Sequence, residues 1–246
     1  MDTGVQPAQK QPAQKQPAQD RRRRVVSYAQ QRAGRMTAGQ QRAWERNWDQ
    51  LGRRIDELPE GPLDIAEWFG RTAPVVLEIG SGMGESTAVM AAQAPGVDHL
   101  AVEVYQPGLA QLLQRAEQAG LTNLRLLRGD AQDLLTEHIA VERLRGVRIY
   151  FPDPWPKRRH HKRRLVRPEF VRLVATRLAP GGVLHLATDW QPYATEMLAA
   201  CAGEPALRNA AGTGYAERPA ERPVTKFEQR ALDEGRTVRD LLFIRI

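Results

Sequence analysis

The alternation of apolar and polar positions changes character at residue 75. From there on, short apolar runs alternate with amphipathic stretches, a pattern typical of β-α-β units on a parallel sheet. The apolar runs predict strands near residues 75–80, 99–104, 124–128, 147–152, 183–188 and 240–246. The amphipathic stretches predict helices near residues 85–94, 107–119, 168–178 and 191–202, with a shorter one after Asp130. The pattern therefore indicates the α/β fold class.

One further helix is predicted ahead of this region. It starts at about Thr37, a residue type that favours the N-cap, and carries apolar residues at the spacing of one helical face. These residues are Trp44, Trp48, Leu51 and Ile55. We expect the stripe to pack on the core, and the prolines and glycine at 59–62 to end the helix.

The first 24 residues differ in composition from the rest of the chain. Residues 6–20 repeat the pentapeptide Gln-Pro-Ala-Gln-Lys, with Asp in place of Lys in the third copy. Such a segment has no apolar face to bury. We expect residues 1–24 to form a disordered, low-complexity basic tail and residues 25–246 to form a single domain. The arginines at 21–24 belong either to a solvated tail or to an arm that binds RNA without sequence preference.

The positive charge is concentrated in two segments. The 246-residue chain has a formal net charge of +7, of which residues 1–24 contribute +4 and residues 157–164 contribute +6, so that the remainder is −3. A localised basic patch on a slightly acidic body indicates a polyanionic partner such as a nucleic acid.

Membrane and secreted classes do not fit the composition. No apolar run approaches the roughly 20 residues of a membrane-spanning helix, and the N-terminus lacks the apolar segment of a secretion signal. The single cysteine, Cys201, fits a reducing cytosol and is better explained as a small buried residue than as a nucleophile. We therefore expect a cytoplasmic protein with no membrane attachment.

The first predicted strand runs into a glycine-rich turn followed by a helix. Gly80, Gly82 and Gly84 follow Glu78 at alternate positions. Glycines there allow a tight turn and a close approach of a ligand to the helix N-terminus. The spacing differs from the Gly-x-Gly-x-x-Gly of dinucleotide-binding folds. A glutamate at this place would repel a pyrophosphate but suits a cationic amino-acid group.

Two more acids lie at the ends of the next two strands. Glu103 is placed to accept hydrogen bonds from both hydroxyls of a ribose, although it could be a solvated loop acid. Asp130 is placed to accept one from an exocyclic adenine amine, although it could be the N-cap of the following helix. Because the carboxyl ends of parallel strands share one edge, we expect these acids to lie near the glycine turn.

A proline-framed segment follows the fourth predicted strand. Asp153 and Trp155 alternate with prolines at 152, 154 and 156, which restrict the backbone on both sides of each residue. Six of the eight residues at 157–164 are Lys or Arg, a footprint that neutralises several phosphates of a nucleic acid. Trp155 either stacks on a base or packs in the core.

These features resemble the class I S-adenosylmethionine-dependent methyltransferases, whose first motif matches residues 78–84. Residues 151–164 are similar to the signature of the bacterial tRNA (guanine-N7-)-methyltransferase family, with support from stretches 34–42, 187–190 and 225–228. The resemblance implies a Rossmann-like fold with a mostly parallel seven-stranded sheet and helices on both faces. It also implies methyl transfer from S-adenosylmethionine to N7 of guanine (position 46, variable loop) in tRNA. We expect no metal and a monomer or homodimer.

The resemblance also implies roles for individual residues. It assigns the cofactor site to Glu78, Gly80, Gly82, Gly84, Glu103, Asp130 and Asp153. It assigns substrate contact to Lys157, Asp189, Thr225, Lys226, Phe227 and Glu228. From local pattern alone, Asp189 could instead cap a helix, and residues 225–228 could form a capping box. We expect phosphate contacts without base specificity from Arg158, Arg159, Lys162, Arg163 and Arg164.

The chemistry of guanine explains why one rigid carboxylate would suffice. Its N7 has an in-plane lone pair and no proton, so attack on a methyl group needs no obligatory general base. Catalysis then depends on positioning the purine and on stabilising the positive charge that the ring gains. We expect Asp153 to be the catalytic residue, accepting also from the guanine N1–H and exocyclic amine, which discriminates against adenine.

Two other functions share part of this pattern. A class I methyltransferase that acts on an exocyclic amine of RNA or DNA would carry an Asn/Asp-Pro-Pro-aromatic motif after the same strand, but the second proline is missing here. A non-catalytic RNA-binding protein with a relic cofactor fold would be expected to lose the acids at 78, 103, 130 and 153, and all four are present.

Overall fold

The computed structural model describes Met1 and residues 34–246 of the chain. The predicted disordered tail, including the repeat at 6–20 and the arginines at 21–24, therefore lies outside the described residues apart from Met1.

Helices and strands alternate along the described chain. The helices are α1 (Ala38–Leu51), α2 (Ile65–Phe69), α3 (Glu85–Gln93), α4 (Gln106–Gln118), α5 (Ala131–Asp133), α6 (Pro168–Arg177), α7 (Gln191–Ala202) and α8 (Lys226–Asp233). The strands are β1 (Gly52–Arg54), β2 (Val75–Ile79), β3 (Asp98–Glu103), β4 (Leu124–Arg128), β5 (Leu144–Tyr150), β6 (Leu178–Thr188), β7 (Leu207–Asn209) and β8 (Arg239–Arg245). Short 3₁₀ turns occupy Ile55–Glu57 and Arg158–Arg163, and a π-helical turn occupies Leu134–His138.

Within residues 34–246, the strands form one eight-stranded sheet in the order β1-β4-β3-β2-β5-β6-β8-β7. The strands from β1 to β6 pair in parallel, whereas β8 is antiparallel to both β6 and β7. The predicted α/β class and mostly parallel sheet are confirmed. The sheet has eight strands, whereas the family resemblance implied seven. The apolar pattern predicted six of the eight and missed β1 and β7, whose three residues each are too few to form a recognisable apolar run.

Helices cover both faces of this sheet, as expected. Successive residues of a strand point to opposite faces. Leu100 and Val102 of β3 belong to the larger core cluster, which includes buried residues of α5, α6 and α7. Ala101, between them, belongs to a second cluster with buried residues of α1, α3 and α4. No helix of the described chain has both the length and the apolar composition that crossing a membrane requires.

The first helix begins as predicted but ends earlier than its apolar stripe. Thr37 and Gln40 form a reciprocal capping box at its start. Trp44 and Trp48 stack with ring centroids 3.9 Å apart and pack against the second core cluster. Ile55 lies beyond β1 and is buried in the larger cluster instead. The prediction that Ile55 continues the helical stripe was wrong, because the chain leaves the helix to pair β1 with β4.

The order of the strands creates a switch point between β2 and β5. The chain moves outward from β2 through β3 to β4, and then returns to place β5 on the other side of β2. The carboxyl ends of β2 to β6 therefore lie on one edge of the sheet, which we call the carboxyl rim. Open parallel sheets bind ligands at this edge, in the crevice where the order reverses.

Candidate functional site at the carboxyl rim

The glycine-rich turn leaves β2 at the switch point. All three of its glycines have positive φ angles: 78° at Gly80, 56° at Gly82 and 71° at Gly84, which is the N-cap of α3. A side chain at Gly84 would lie 2.5 Å from Leu112, so this glycine allows α3 to approach α4. At Gly80 and Gly82 a side chain would meet nothing within 4 Å, so these two border open space in front of the sheet.

Glu103 holds the turn in place from the end of β3. Its Oε2 accepts a hydrogen bond from the Gly82 N–H at 2.9 Å, and its Oε1 accepts from the N–H groups of Val104 and Tyr105 at 2.7 and 3.0 Å. Burial raises the pKa of Glu103 above its ordinary value, against the effect of these hydrogen bonds, and the charge of Asp153 raises it further. The predicted alternative of a solvated loop acid is wrong, since this carboxylate is part of the turn's structure.

The first helical turn of α4 also packs against the glycine turn. A methyl group at Gly108 would lie 2.2 Å from the Gly82 carbonyl oxygen, which is a backbone atom. Only glycine fits at this position without moving one of the two segments. The glycine turn is therefore fixed from two sides, by Glu103 and by α4.

Glu78 lies beneath the turn and is only 4% exposed. Its Oε1 accepts from the Ser86 hydroxyl at 3.2 Å. Its Oε2 makes no hydrogen bond of good geometry within the described chain, although the Thr87 hydroxyl is close enough to lower the pKa. Burial is the largest influence and raises the pKa of Glu78, with the charge of Arg148 opposing it. A buried oxygen without a donor is costly, so a ligand that donates to it would be favoured.

Asp130 is the N-cap of α5. Its side chain accepts from the backbone N–H of Gln132 at 2.7 Å. The capping alternative is therefore confirmed, and it places the carboxylate at the rim, just after the end of β4. Contact with an adenine amine stays a prediction.

Asp153 lies in a constrained loop after β5. Phe151 and Trp155 on either side have φ angles of 50° and 45°, which are sparsely populated for residues with side chains. The loop is tied to β6 by the Phe151 N–H, which donates to the Ala187 carbonyl at 2.8 Å. Asp153 is exposed, and its negative charge makes a small contribution to the raised pKa of Glu103. The loop that carries Asp153 follows β5, the strand next to β2 on the other side of the switch point.

Trp155 packs inside the loop instead of presenting its ring to solvent. It is 8% exposed, with the Arg163 guanidinium 4.9 Å from its ring centroid and the His160 ring in an edge contact at 5.9 Å. The packing alternative is therefore correct, and Arg163 is engaged in it. The structure gives no support for stacking of Trp155 on a base.

Arg164 was predicted to contact phosphates, and the structure contradicts this. The residue is 1% exposed. Its Nε donates to the Pro154 carbonyl at 2.8 Å, its guanidinium lies 4.8 Å from the Tyr193 ring centroid, and its Nη1 pairs with Glu196 at 2.5 Å. Arg164 therefore anchors the Asp153 loop to α7.

The other basic residues form an exposed surface beside Asp153. Lys157, Arg158, Arg159 and Lys162 are exposed, and Arg163 is half-buried. Desolvation of His160 and then the positive charges around it lower the pKa of that side chain, consistent with a concentrated positive potential. These residues are placed where a polyanion could reach them.

Asp189 lies where β6 reaches the rim, as predicted. It does not cap α7, whose N-cap is Trp190. Its carboxylate pairs instead with Arg236, which follows α8 in the chain. Asp189 therefore links the end of β6 to the segment after α8.

The 225–228 segment opens α8 with Thr225 as the N-cap, but the full capping box that the local pattern allowed does not form, because the Glu228 carboxylate does not turn back to the Thr225 N–H. The Thr225 hydroxyl accepts from the Glu228 N–H at 3.1 Å. Lys226 and Phe227 are exposed on the first turn. Glu228 is 2% exposed and both of its oxygens pair with Arg222, at 2.5 and 2.9 Å. The implied substrate contact by Glu228 is not supported, because its carboxylate faces the interior.

Sequence reasoning missed Arg222 and its second partner, Asp240. Arg222 is fully buried, and its partners lie 6 and 18 positions further along the chain. No period or motif marks such a residue, because its burial comes from tertiary packing. The one available signal is Asp240, a charged residue at the start of an apolar closing strand. Within the described residues, no cluster of three or more His, Cys, Asp or Glu side chains could hold a metal ion.

Comparison with known proteins gives consistent matches. A family described as "Putative methyltransferase" matches residues 72–241. The chain is 53% identical to the tRNA (guanine-N(7)-)-methyltransferase of Streptomyces avermitilis, over 91% of this chain and 76% of that protein. It is 51% identical to the enzyme of the same name from Alkalilimnicola ehrlichii, over 86% of this chain and 89% of that protein.

Among solved structures, the 16S rRNA methyltransferase KamB matches with a TM-score of 0.57 and 21% identity, over 78% of this chain and 98% of that chain. At this identity the match concerns the fold alone. It agrees with the parallel sheet and with the helices on both of its faces.

Proposed function

Because the chain belongs to the bacterial tRNA (guanine-N7-)-methyltransferase family, we propose that it methylates N7 of a variable-loop guanine in tRNA, with S-adenosylmethionine as the methyl donor. The observation that carries this proposal is the position of Asp153. This exposed carboxylate is held in a strained loop at the carboxyl end of β5, next to the strand that leads into the glycine turn, and its charge acts on Glu103.

The residues around the glycine turn fit the donor. The open space in front of Gly80 and Gly82 can receive it without a clash. The buried Oε2 of Glu78 needs a hydrogen-bond donor, and an amino-acid ammonium is one. Each oxygen of Glu103 can accept more than one hydrogen bond, so this carboxylate can also bind the ribose hydroxyls. When bound, S-adenosylmethionine supplies an electrophilic methyl group on a sulfonium.

Asp153 would bind and orient the guanine. Its carboxylate can accept from the N1–H and the exocyclic amine, which fixes the purine and excludes adenine. As N7 attacks, the ring gains positive charge, and the fixed negative charge of Asp153 stabilises it. No side chain has to remove a proton from N7, because that atom carries none.

The exposed basic surface would bind the tRNA backbone. Lys157, Arg158, Arg159 and Lys162 project beside the Asp153 loop and can contact phosphates. Lys226 and Phe227 are exposed on the first turn of α8 and are candidates for contact with the substrate nucleotides. We propose that residues 25–246 act as one catalytic domain in the cytoplasm, as a monomer or homodimer, with residues 1–24 outside it.

The test is incubation with labelled S-adenosylmethionine and an unmodified tRNA transcript, followed by digestion and nucleoside identification. We expect 7-methylguanosine. A matched transcript with adenine in place of the variable-loop guanine should remain unlabelled. Methylation of an exocyclic amine would instead identify the competing class of methyltransferase, and absence of product would contradict the proposal.

A further inference from the structure

A chain of buried polar side chains lies directly beneath the rim. The Tyr150 hydroxyl and the His185 Nδ1 are hydrogen-bonded at 2.9 Å, and the His185 Nε2 contacts an Asp240 oxygen at 2.7 Å. Arg222 donates to both oxygens of Asp240, at 2.8 and 2.9 Å, and to both oxygens of Glu228. None of the five residues is more than 8% exposed. The proposed chemistry uses none of them directly.

Arg222 connects three separate parts of the site. Its guanidinium lies 5.7 and 5.9 Å from the ring centroids of Tyr150 and Phe151, where the Asp153 loop begins. Its bidentate bonds to Asp240 attach it to β8 at the position paired with Ala187, near the end of β6. Its bonds to Glu228 attach it to the first turn of α8.

The region around α8 is tied to the rim by exposed and half-buried contacts as well. Arg236, after α8, pairs with Asp189 at the end of β6. Arg239 donates to the Gln191 side chain at 3.1 Å. These contacts act on the end of α8 and on β8, whereas Arg222 acts on the first turn, which carries Lys226 and Phe227.

We infer that Arg222 and Glu228 are positioning residues that hold the first turn of α8 beside the Asp153 loop for the tRNA. This inference rests on the proposed function and assigns Glu228 a role different from the substrate contact that the family resemblance implies. To reach RNA, Glu228 would have to leave two charge-assisted hydrogen bonds and a site that is 2% exposed. Arg222, not RNA, is its partner.

The geometry favours positioning over simple stabilisation. A buried ion cluster is weak evidence for stability, because the desolvation of its charges offsets much of their attraction. A bidentate guanidinium does fix relative orientation. Here it fixes the orientation of a helix, a strand and a loop that all end at the same rim.

The experiment compares Glu228→Gln, Arg222→Lys and the double variant with the wild-type protein. Glutamine keeps the shape of Glu228 and removes its charge, whereas lysine cannot replace two bidentate pairs. The matched control is Asp98→Asn, which disrupts the Asp98–Arg71 pair at the opposite, amino-terminal edge of the sheet, where Asp98 is 1% exposed. Thermal unfolding, calorimetric affinity for S-adenosylmethionine, and kcat and KM with tRNA are measured for each protein.

We expect kcat/KM for tRNA to fall at least about tenfold in each single variant, with the affinity for S-adenosylmethionine unchanged within about twofold. Because the two residues act as one unit, the double variant should lie within about threefold of the weaker single variant. Asp98→Asn should lower the unfolding temperature without changing kcat/KM. If Arg222→Lys does not fold, Glu228→Gln and Asp98→Asn decide the question alone.

Three results would overturn the inference. They are an unchanged kcat/KM in Glu228→Gln, a loss of affinity for S-adenosylmethionine as large as the loss of kcat/KM, or a loss of kcat/KM in the double variant equal to the product of the two single losses. The last would indicate that Glu228 contacts RNA itself. If the wild-type protein forms no 7-methylguanosine, the proposed function fails separately. The same variants are then compared by filter binding of tRNA, with the same expected loss.

Discussion

Replacing Gly108 with alanine should damage the cofactor site without touching any ligand. The new methyl group would lie 2.2 Å from the Gly82 carbonyl oxygen, and real contacts of this kind are not shorter than 3.0 Å. The two segments must therefore separate by about 0.8 Å, and neither can give way by a side-chain rotation, because the obstructing atom is backbone. Gly82 is held by Glu103 through a 2.9 Å hydrogen bond, so the movement also strains that bond.

Overpacking of this kind costs about 1–3 kcal/mol. If the strain relaxes through the glycine turn, the affinity for S-adenosylmethionine should fall about tenfold, since tenfold corresponds to about 1.4 kcal/mol. Calorimetric titration measures the affinity, and thermal unfolding shows how much of the cost appears as lost stability. Gly96→Ala is the matched control, since a side chain there meets nothing within 4 Å. Equal affinity of Gly108→Ala, Gly96→Ala and wild-type protein would refute the reasoning.

Two further predictions concern buried and exposed charges. Burial raises the pKa of Glu78 in the folded protein above its value in the unfolded chain. The free energy of unfolding is therefore highest below the unfolded pKa, and it decreases as the pH rises and Glu78 ionises inside the protein. Glu78→Gln should therefore raise the unfolding temperature at pH 7 while weakening S-adenosylmethionine binding, and a lower unfolding temperature would contradict this. Arg158→Ala should weaken tRNA binding and lower the slope of its salt dependence by the amount that corresponds to about one phosphate contact. Replacing the buried Arg164 with alanine should chiefly lower the unfolding temperature. Filter binding measures the affinity and thermal unfolding measures the stability; a loss of affinity without a salt effect in Arg158→Ala, or an unchanged unfolding temperature in Arg164→Ala, would refute the distinction.

Hydrophobic periodicity predicted the parts of the fold that have enough residues to show a period. The predicted helix at 191–202 coincides with α7, and the predicted strand at 124–128 coincides with β4. The pattern missed β1, β7 and α2, which have three, three and five residues. It also extended the stripe of α1 to Ile55, because it could not detect that β1 separates the two.

The acids and glycines of the candidate site could be predicted from the sequence, because each lies at or near the end of a predicted strand and parallel strands end at the same edge of a sheet. What the sequence could not distinguish is which charged side chains turn inward. Arg164 and Arg158 are both members of one basic run, yet Arg164 is buried against Tyr193 and Glu196. Glu228 belongs to a motif whose neighbours Lys226 and Phe227 are exposed, yet it faces Arg222. Tertiary partners decide the burial of a charge, and no local pattern encodes them.

The most direct test of the account is the rate of methyl transfer by Asp153→Asn under single-turnover conditions. Asparagine keeps the size of the side chain and removes the charge that is proposed to stabilise the methylated guanine. We predict a fall of at least about 100-fold in the rate of 7-methylguanosine formation, the magnitude typical of losing one preorganised electrostatic contact, with the affinity for S-adenosylmethionine retained. A rate close to that of the wild-type protein would contradict the account.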